Sequence, residues 1–119
     1  MAKLDLNVVA KATAEQTYQI VEFKGEMDKS NINDVRDVLV KFIDSFGDQN
    51  LIFDLTYFNF INSEGVGLMV SFYYKLKKAE KNLFFVNPQP QVNDVFDLIG
   101  LTKVVEPVAS IEEAMQKVS

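Results

Sequence analysis

The chain has 119 residues, 48% hydrophobic and 24% charged, which suits one domain that buries its own core without a disulfide or structural metal. Twelve Lys and Arg against seventeen Asp and Glu leave a net charge of −5, so neither nucleic acid nor direct membrane insertion is expected. The chain has neither histidine nor cysteine, which excludes Ser-His-Asp and Cys-His catalysis, His-ligated zinc and disulfides.

Met1 to Ala12 mixes Lys3, Asp5 and Lys11 into its apolar residues, leaving no signal-peptide core. Later apolar runs fall well short of the ~20 residues of a membrane helix, and a cytoplasmic protein is expected. Leu4 to Ala10 alternates Leu4, Leu6 and Val8 and reads as a half-exposed strand. Lys11 to Gln16 reads as a polar turn, and Tyr18 to Lys24 as a second strand antiparallel to the first. Gly25 to Lys29 reads as a loop, with Ser30 capping the next helix. Ile32, Val35, Leu39, Phe42, Ile43 and Phe46 give that helix one apolar face, and Gly47 suits its C-terminal turn.

Leu51 to Leu55 suits a buried parallel strand. The loop Thr56 to Ser63 would leave its C-terminal end, where ligand sites of such sheets lie. A helix begins near Ser63, with Val66, Met69, Val70, Tyr73 and Leu76 inside. Lys75, Lys77, Lys78 and Lys81 gather near its C-terminus, where cations oppose the helix dipole. Leu83 to Val86 is a third buried strand, parallel to Leu51–Leu55. A short helix carrying Val92, Val95, Phe96 and Ile99 stops at Gly100, with Leu101 packing back. Val104 to Glu106 reads as a last strand. Ser110 and Glu113 have capping-box spacing before a helix that buries Ile111, Ala114, Met115 and Val118. The order β-β-α-β-α-β-α-β-α predicts an α/β fold with a mixed, mostly parallel sheet and about four helices.

No enzyme site assembles along this order. Asp28, Asp54 and Asp94 are dispersed. Gly65 and Gly67 lie inside a helix start, with no third glycine and no Lys-Ser/Thr to make a phosphate-binding loop. The chain is therefore expected to be no enzyme and to hold no cofactor and no metal. The informative stretch is Asp54 to Leu68, in which Phe58, Phe60 and Ile61 would hold an apolar loop against the domain. Ser63 has two readings: an N-cap whose hydroxyl accepts a backbone N–H, or a modification site whose phosphate meets the positive end of a helix dipole.

This stretch resembles the phosphorylation loop of STAS domains, which are shared by anti-sigma factor antagonists and sulphate transporters. Those domains carry Asp-Leu-Ser/Thr, a hydrophobic loop, then Asp-Ser-Ser/Thr-Gly-hydrophobic-Gly. Phe23 to Asp28, reading Phe-Lys-Gly-Glu-Met-Asp, is similar to the family's Gly-Glu-Leu-Asp turn. The Pro-Gln-Val helix at 90–99 and the Gly100-Leu101 ending also fit. The resemblance spans nearly the whole chain and implies a single STAS domain over residues 1–119.

The resemblance implies a protein-binding regulatory module like an anti-sigma factor antagonist. Its partner would be an anti-sigma factor of the GHKL serine-kinase type, and a PP2C-type phosphatase would reset it. Ser63 matches the family's phosphorylated serine, and Asp28 matches an acidic residue that contacts the kinase. Asn62, Glu64 and Gly65 flank the acceptor, and Tyr57 and Phe58 are candidate exposed aromatics of a partner surface. Asn62 stands where the family has Asp, and Glu64 stands where it has a second Ser or Thr, so a phosphate on Ser63 would meet like charge. The alternatives are a STAS scaffold subunit of a signalling or lipid-transport assembly that works without phosphorylation, and a small enzyme or nucleotide-binding domain.

Overall fold

A computed structural model describes residues 3–12 and 17–118. The chain order is β1 (Leu4–Ala12), β2 (Thr17–Met27), α1 (Ile32–Asp44), β3 (Asn50–Ile61), α2 (Ser63–Lys78), β4 (Asn82–Val86), α3 (Pro90–Leu98), a 3-10 turn (Leu101–Lys103) and α4 (Ile111–Val118). The four strands form one sheet in the order β1-β2-β3-β4. β1 and β2 are antiparallel, whereas β2-β3 and β3-β4 are parallel, with Leu51 opposite Leu83. The mixed, mostly parallel sheet read from the sequence is the observed one.

Strand alternation divides the core. Val21, Phe23, Leu51, Phe53, Leu55, Leu83 and Phe85 face α1, α2 and α3, where they meet Leu39, Met69, Phe72 and Phe96. Tyr18, Ile20, Ile52 and Val86 point to the other side and pack on Ala114 of α4 and on Val108. The Phe53 ring sits at the centre of the larger cluster, 4.9 Å from Phe23 and 6.2 Å from Phe85 between centroids. Such tilted and offset contacts are the favoured aromatic geometry.

Four readings are corrected. Gly25 does not open a loop: β2 runs on to Met27 with register shifts on either side of Gly25. Its φ is +126°, and a Cβ there would meet Lys3 O at 2.0 Å, so only glycine fits this irregularity. Thr56 to Ile61 is not a loop either. β3 outruns β4, whose pairing ends at Asp54–Val86, and continues against β2 alone. Along its uncovered edge, Gln89 Nε2 donates to Thr56 O at 2.9 Å and Gln91 Nε2 to Asn59 O at 3.1 Å, so side-chain amides stand in for a neighbouring strand. Val104 to Glu106 forms no strand. A 3-10 turn precedes it, and only a bridge between Val86 and Val108 extends the sheet there.

The fourth correction concerns helix ends. α1 begins after Asn31, because the Ser30 hydroxyl donates to Asp28 Oδ1 instead of capping. α1 ends at Ser45 and not at Gly47. Gly100 does terminate α3 in the left-handed region, φ +81°, and Leu101 is buried. Ser110 Oγ accepts the Glu113 N–H at 3.2 Å, and Glu113 Oε2 accepts the Ala109 N–H at 2.9 Å, a capping box shifted by one residue on its return bond. Of the proposed turn Lys11 to Gln16, Lys11 and Ala12 belong to β1, and the rest lies outside the described residues.

Candidate functional site

The C-terminal ends of β2 and β3 form one rim. Met27 pairs with Ile61, and the Asn62 N–H donates to Met27 O at 3.0 Å. This bond sets Asp28, the first residue after β2, beside Asn62 and Ser63, the residues that lead from β3 into α2. Two segments 34 positions apart in sequence (28 and 62) thus share one edge.

The turn after β2 is tied by its own polar groups. Asp28 Oδ1 accepts the Ser30 N–H at 2.8 Å and the Ser30 O–H at 2.6 Å. These two bonds hold the Asp28 carboxyl below its ordinary value of 3.8, the hydroxyl contributing most. Asn31 adds a brace: its Nδ2 donates to Glu26 O at 2.8 Å, and its Oδ1 accepts the Asp28 N–H at 2.9 Å. Asp28 is therefore an oriented anion at the surface.

The α2 mouth differs from the sequence expectation. Ser63 is not the cap. Asn62 is, with extended backbone at φ −90° and ψ 175°, and its Oδ1 accepts the Gly65 N–H at 2.9 Å. Ser63 is the first helical residue and is exposed. Glu64 follows, also exposed, with Oε2 3.7 Å from Arg36 Nη2 of α1. Gly65 is buried, and a Cβ on it would meet Ile61 Cγ1 and Met27 Sδ, each at 2.7 Å. Its contribution is close packing of α2 on the strand ends.

The two aromatics separate. Tyr57 is 63% exposed, with Lys24 Nζ 5.9 Å from its ring centroid. It lies five residues back along β3 from Asn62, roughly 16 Å at strand rise. Phe58 is fully buried, its ring 5.4 Å from that of Phe23. It is a core residue and is withdrawn from the candidate surface. Phe60, read as loop packing, is instead 49% exposed. Asp54, second of the dispersed aspartates by position, accepts the Thr56 N–H and O–H and steadies β3 locally. Sequence reasoning missed Arg36 and Asn31. Asn31 gave no signal beyond turn propensity, and Arg36 was visible only as the single arginine of the chain. Among the described residues no group of three acidic side chains is placed to hold a metal, and no helix is long and apolar enough to cross a membrane.

The STAS domain family model matches residues 10–114, and the chain belongs to that family. Its fold is similar to that of an anti-sigma factor antagonist from Mycobacterium paratuberculosis, at 20% identity and a TM-score of 0.78 over 96% of this chain and 94% of that one. It is also similar to the anti-sigma factor antagonist SpoIIAA in its unphosphorylated form, at 23% identity and a TM-score of 0.73 over 98% and 96%. The Bacillus cell fate determinant SpoIIAA in the phosphorylated form matches at 22% identity and a TM-score of 0.67 over 98% and 100%. At these identities the likeness is one of fold.

Proposed function

We propose that this STAS domain is a protein-binding regulatory module that acts as an anti-sigma factor antagonist and has no catalysis of its own. Its partner is an anti-sigma factor of the GHKL serine-kinase type, which docks on the rim of Asp28, Asn62, Ser63 and Glu64. Phosphorylation of Ser63 releases the complex, and a PP2C-type phosphatase restores it. The observation that carries this reading is the Asn62 N–H to Met27 O bond, which puts the acidic turn and an exposed helix-start serine on one edge. Tyr57 and Lys24 extend the surface along the sheet. Gly65 supports the rim from within.

A dianion at Ser63 leaves the fold in place, since the serine is exposed and gives its side chain to no cap. A partner surface fitted to a neutral hydroxyl has to desolvate about −1.5 to −2 charges instead. A hundredfold loss of affinity needs only ~2.8 kcal/mol. The test is incubation with the anti-sigma kinase and ATP, mass spectrometry of the Ser63 peptide, and titration calorimetry of wild type against Ser63→Asp. Phosphate on Ser63 and at least tenfold weaker binding of Ser63→Asp are expected. Unmodified Ser63 and equal affinities would sink the switch.

One observation favours a second reading. Glu64 already places a fixed carboxylate beside Ser63, paired with Arg36. A STAS scaffold subunit of a signalling or lipid-transport assembly, constant in charge and never phosphorylated, would have such a mouth. Equal affinities in the titration above select it.

A further inference from the structure

We propose that Arg36 is the positioning residue for a phosphate on Ser63, and that modification moves its guanidinium from Glu64 to the phosphate. This rests on the reading of Ser63 as the acceptor. Arg36 is the only arginine among twelve cationic side chains. It crosses from α1 to the mouth of α2, where Nη2 lies 3.7 Å from Glu64 Oε2. Its Nη1 donates to Asn33 Oδ1 at 3.0 Å, one turn back on α1, which keeps the guanidinium on this side of the helix.

The contact with Glu64 is built to be exchanged. The two side chains are 41% and 55% exposed, and an ion pair that wet is weak. Its 3.7 Å separation is longer than the ~2.8 Å of a charge-assisted hydrogen bond. Glu64 directly follows Ser63 on α2, and neighbouring helical positions point about 100° apart, so the long Arg36 side chain has to swing from the carboxylate to reach a phosphate one position back. A phosphate offers three strong acceptor oxygens and nearly twice the charge of the carboxylate. Arg presents a planar fork that takes two phosphate oxygens together, which a lysine cannot do. The neighbouring charges sharpen the need: Asp28 on the turn after β2 and Glu64 on α2, the two charged residues of the rim, are both acidic. A dianion at Ser63 without a cation would face these alone.

The experiment needs no kinase. Phosphoserine is installed at position 63 of the full chain by an expanded genetic code. The phosphate is titrated by 31P NMR, and the Arg36 Nε–H is followed in a 15N spectrum. With a single arginine that resonance is unambiguous. With no histidine and no cysteine, only the phosphate and the α-amino group are expected to titrate between about pH 5 and 8. The Arg36 resonance is expected to shift with the phosphate midpoint in the phosphorylated chain and to stay still in the unmodified one.

In Arg36→Gln the phosphate midpoint is expected to rise by roughly 0.3–0.7 units. In Glu64→Gln it is expected to fall, as the competing carboxylate is lost. An Arg36 resonance that ignores the phosphate titration overturns the proposal, and this measurement in the unmutated chain decides even if Arg36→Gln fails to fold. So does an equal phosphate midpoint in wild type and a folded Arg36→Gln. Failure of the kinase to modify Ser63 is a separate result: it removes the switch and leaves the Arg36 contact standing.

Discussion

Asn62→Ala tests which residue opens α2, and with it the separation of stability from signalling at the rim. Asn62 Oδ1 accepts the Gly65 N–H at 2.9 Å, and Gly65 is buried. Removing an N-cap acceptor costs about 1 kcal/mol, within a range of roughly 0.5–2. A buried N–H left without a partner puts this site in the upper half of that range. An unfolding entropy of roughly 2.1 cal/mol/K per residue gives ~0.25 kcal/mol/K for 119 residues. A loss of about 1.3–2 kcal/mol therefore lowers the Tm by roughly 5–8 °C. Asn62→Asp keeps the acceptor and adds a charge at the positive helix end, for a gain of up to about 1 kcal/mol, part of it offset by the nearby Glu64. Ser63→Ala, at an exposed first-turn position, should stay within about 0.5 kcal/mol of wild type. Thermal melts at pH 7, followed by circular dichroism, rank the three. A Ser63→Ala chain that melts as low as Asn62→Ala would refute the assignment of the cap.

Three further outcomes are expected. Gly65→Ala should lose about 1–2 kcal/mol, because overpacking against Ile61 and Met27 outweighs the helix propensity that alanine gains. Gly67→Ala, where a Cβ meets nothing within 4 Å, should instead gain up to about 1 kcal/mol. Denaturant titration of both reads the contrast, and equal signs would contradict it. Ser30→Ala should raise the Asp28 carboxyl part of the way toward its ordinary 3.8, as read by carboxyl 13C NMR, since it removes the hydroxyl bond that lowers it most and leaves the backbone N–H bond in place. The folded value lies below the unfolded one, so the stability they supply is present above about pH 4 and is lost as pH falls through the folded value. The stability gap between wild type and Ser30→Ala should shrink in that acid window, and a gap that widens there would count against the contact.

Periodicity carried the fold. The apolar spacing of α1, the run Leu51 to Leu55 and the box at Ser110 each encode local structure in adjacent residues, and each appears in the structure, the box with its return bond moved to Ala109. Where partners come from far along the chain, local reading failed. Thr56 and Asn59 look like loop residues, and only the amides of Gln89 and Gln91 make them tenable on a strand edge. Gly25 signals a break, yet Lys3 O closes on it and the strand continues. Phe58 lay in a stretch taken for loop, so nothing local indicated that it would pack at a tilt against Phe23. At the candidate site, Ser63 and Asp28 were singled out by the family resemblance and not by spacing alone, and their shared edge depends on β2–β3 register. Asn62 and Ser63 are both good caps by type, and only backbone geometry decides between them.

The two departures from the family pattern act together. Asn62 removes a carboxylate from the cap position, and Glu64 adds one two residues on, so the formal charge at the α2 mouth is conserved while its place changes. The cap itself loses nothing by this, since an amide oxygen accepts the Gly65 N–H as a carboxylate oxygen would. What changes is reach. A carboxylate at the cap would face the Gly65 N–H inside the first turn, whereas Glu64 lies across from Arg36 on α1. The relocated charge therefore has a cation, and Ser63 stands in sequence between a neutral cap and a paired carboxylate. Swapping both residues back, Asn62→Asp with Glu64→Ser, would keep the net charge and free Arg36 at once. If the pair rather than the charge count governs the rim, this double variant should bind a partner differently from wild type at equal stability, and Arg36→Gln should erase that difference.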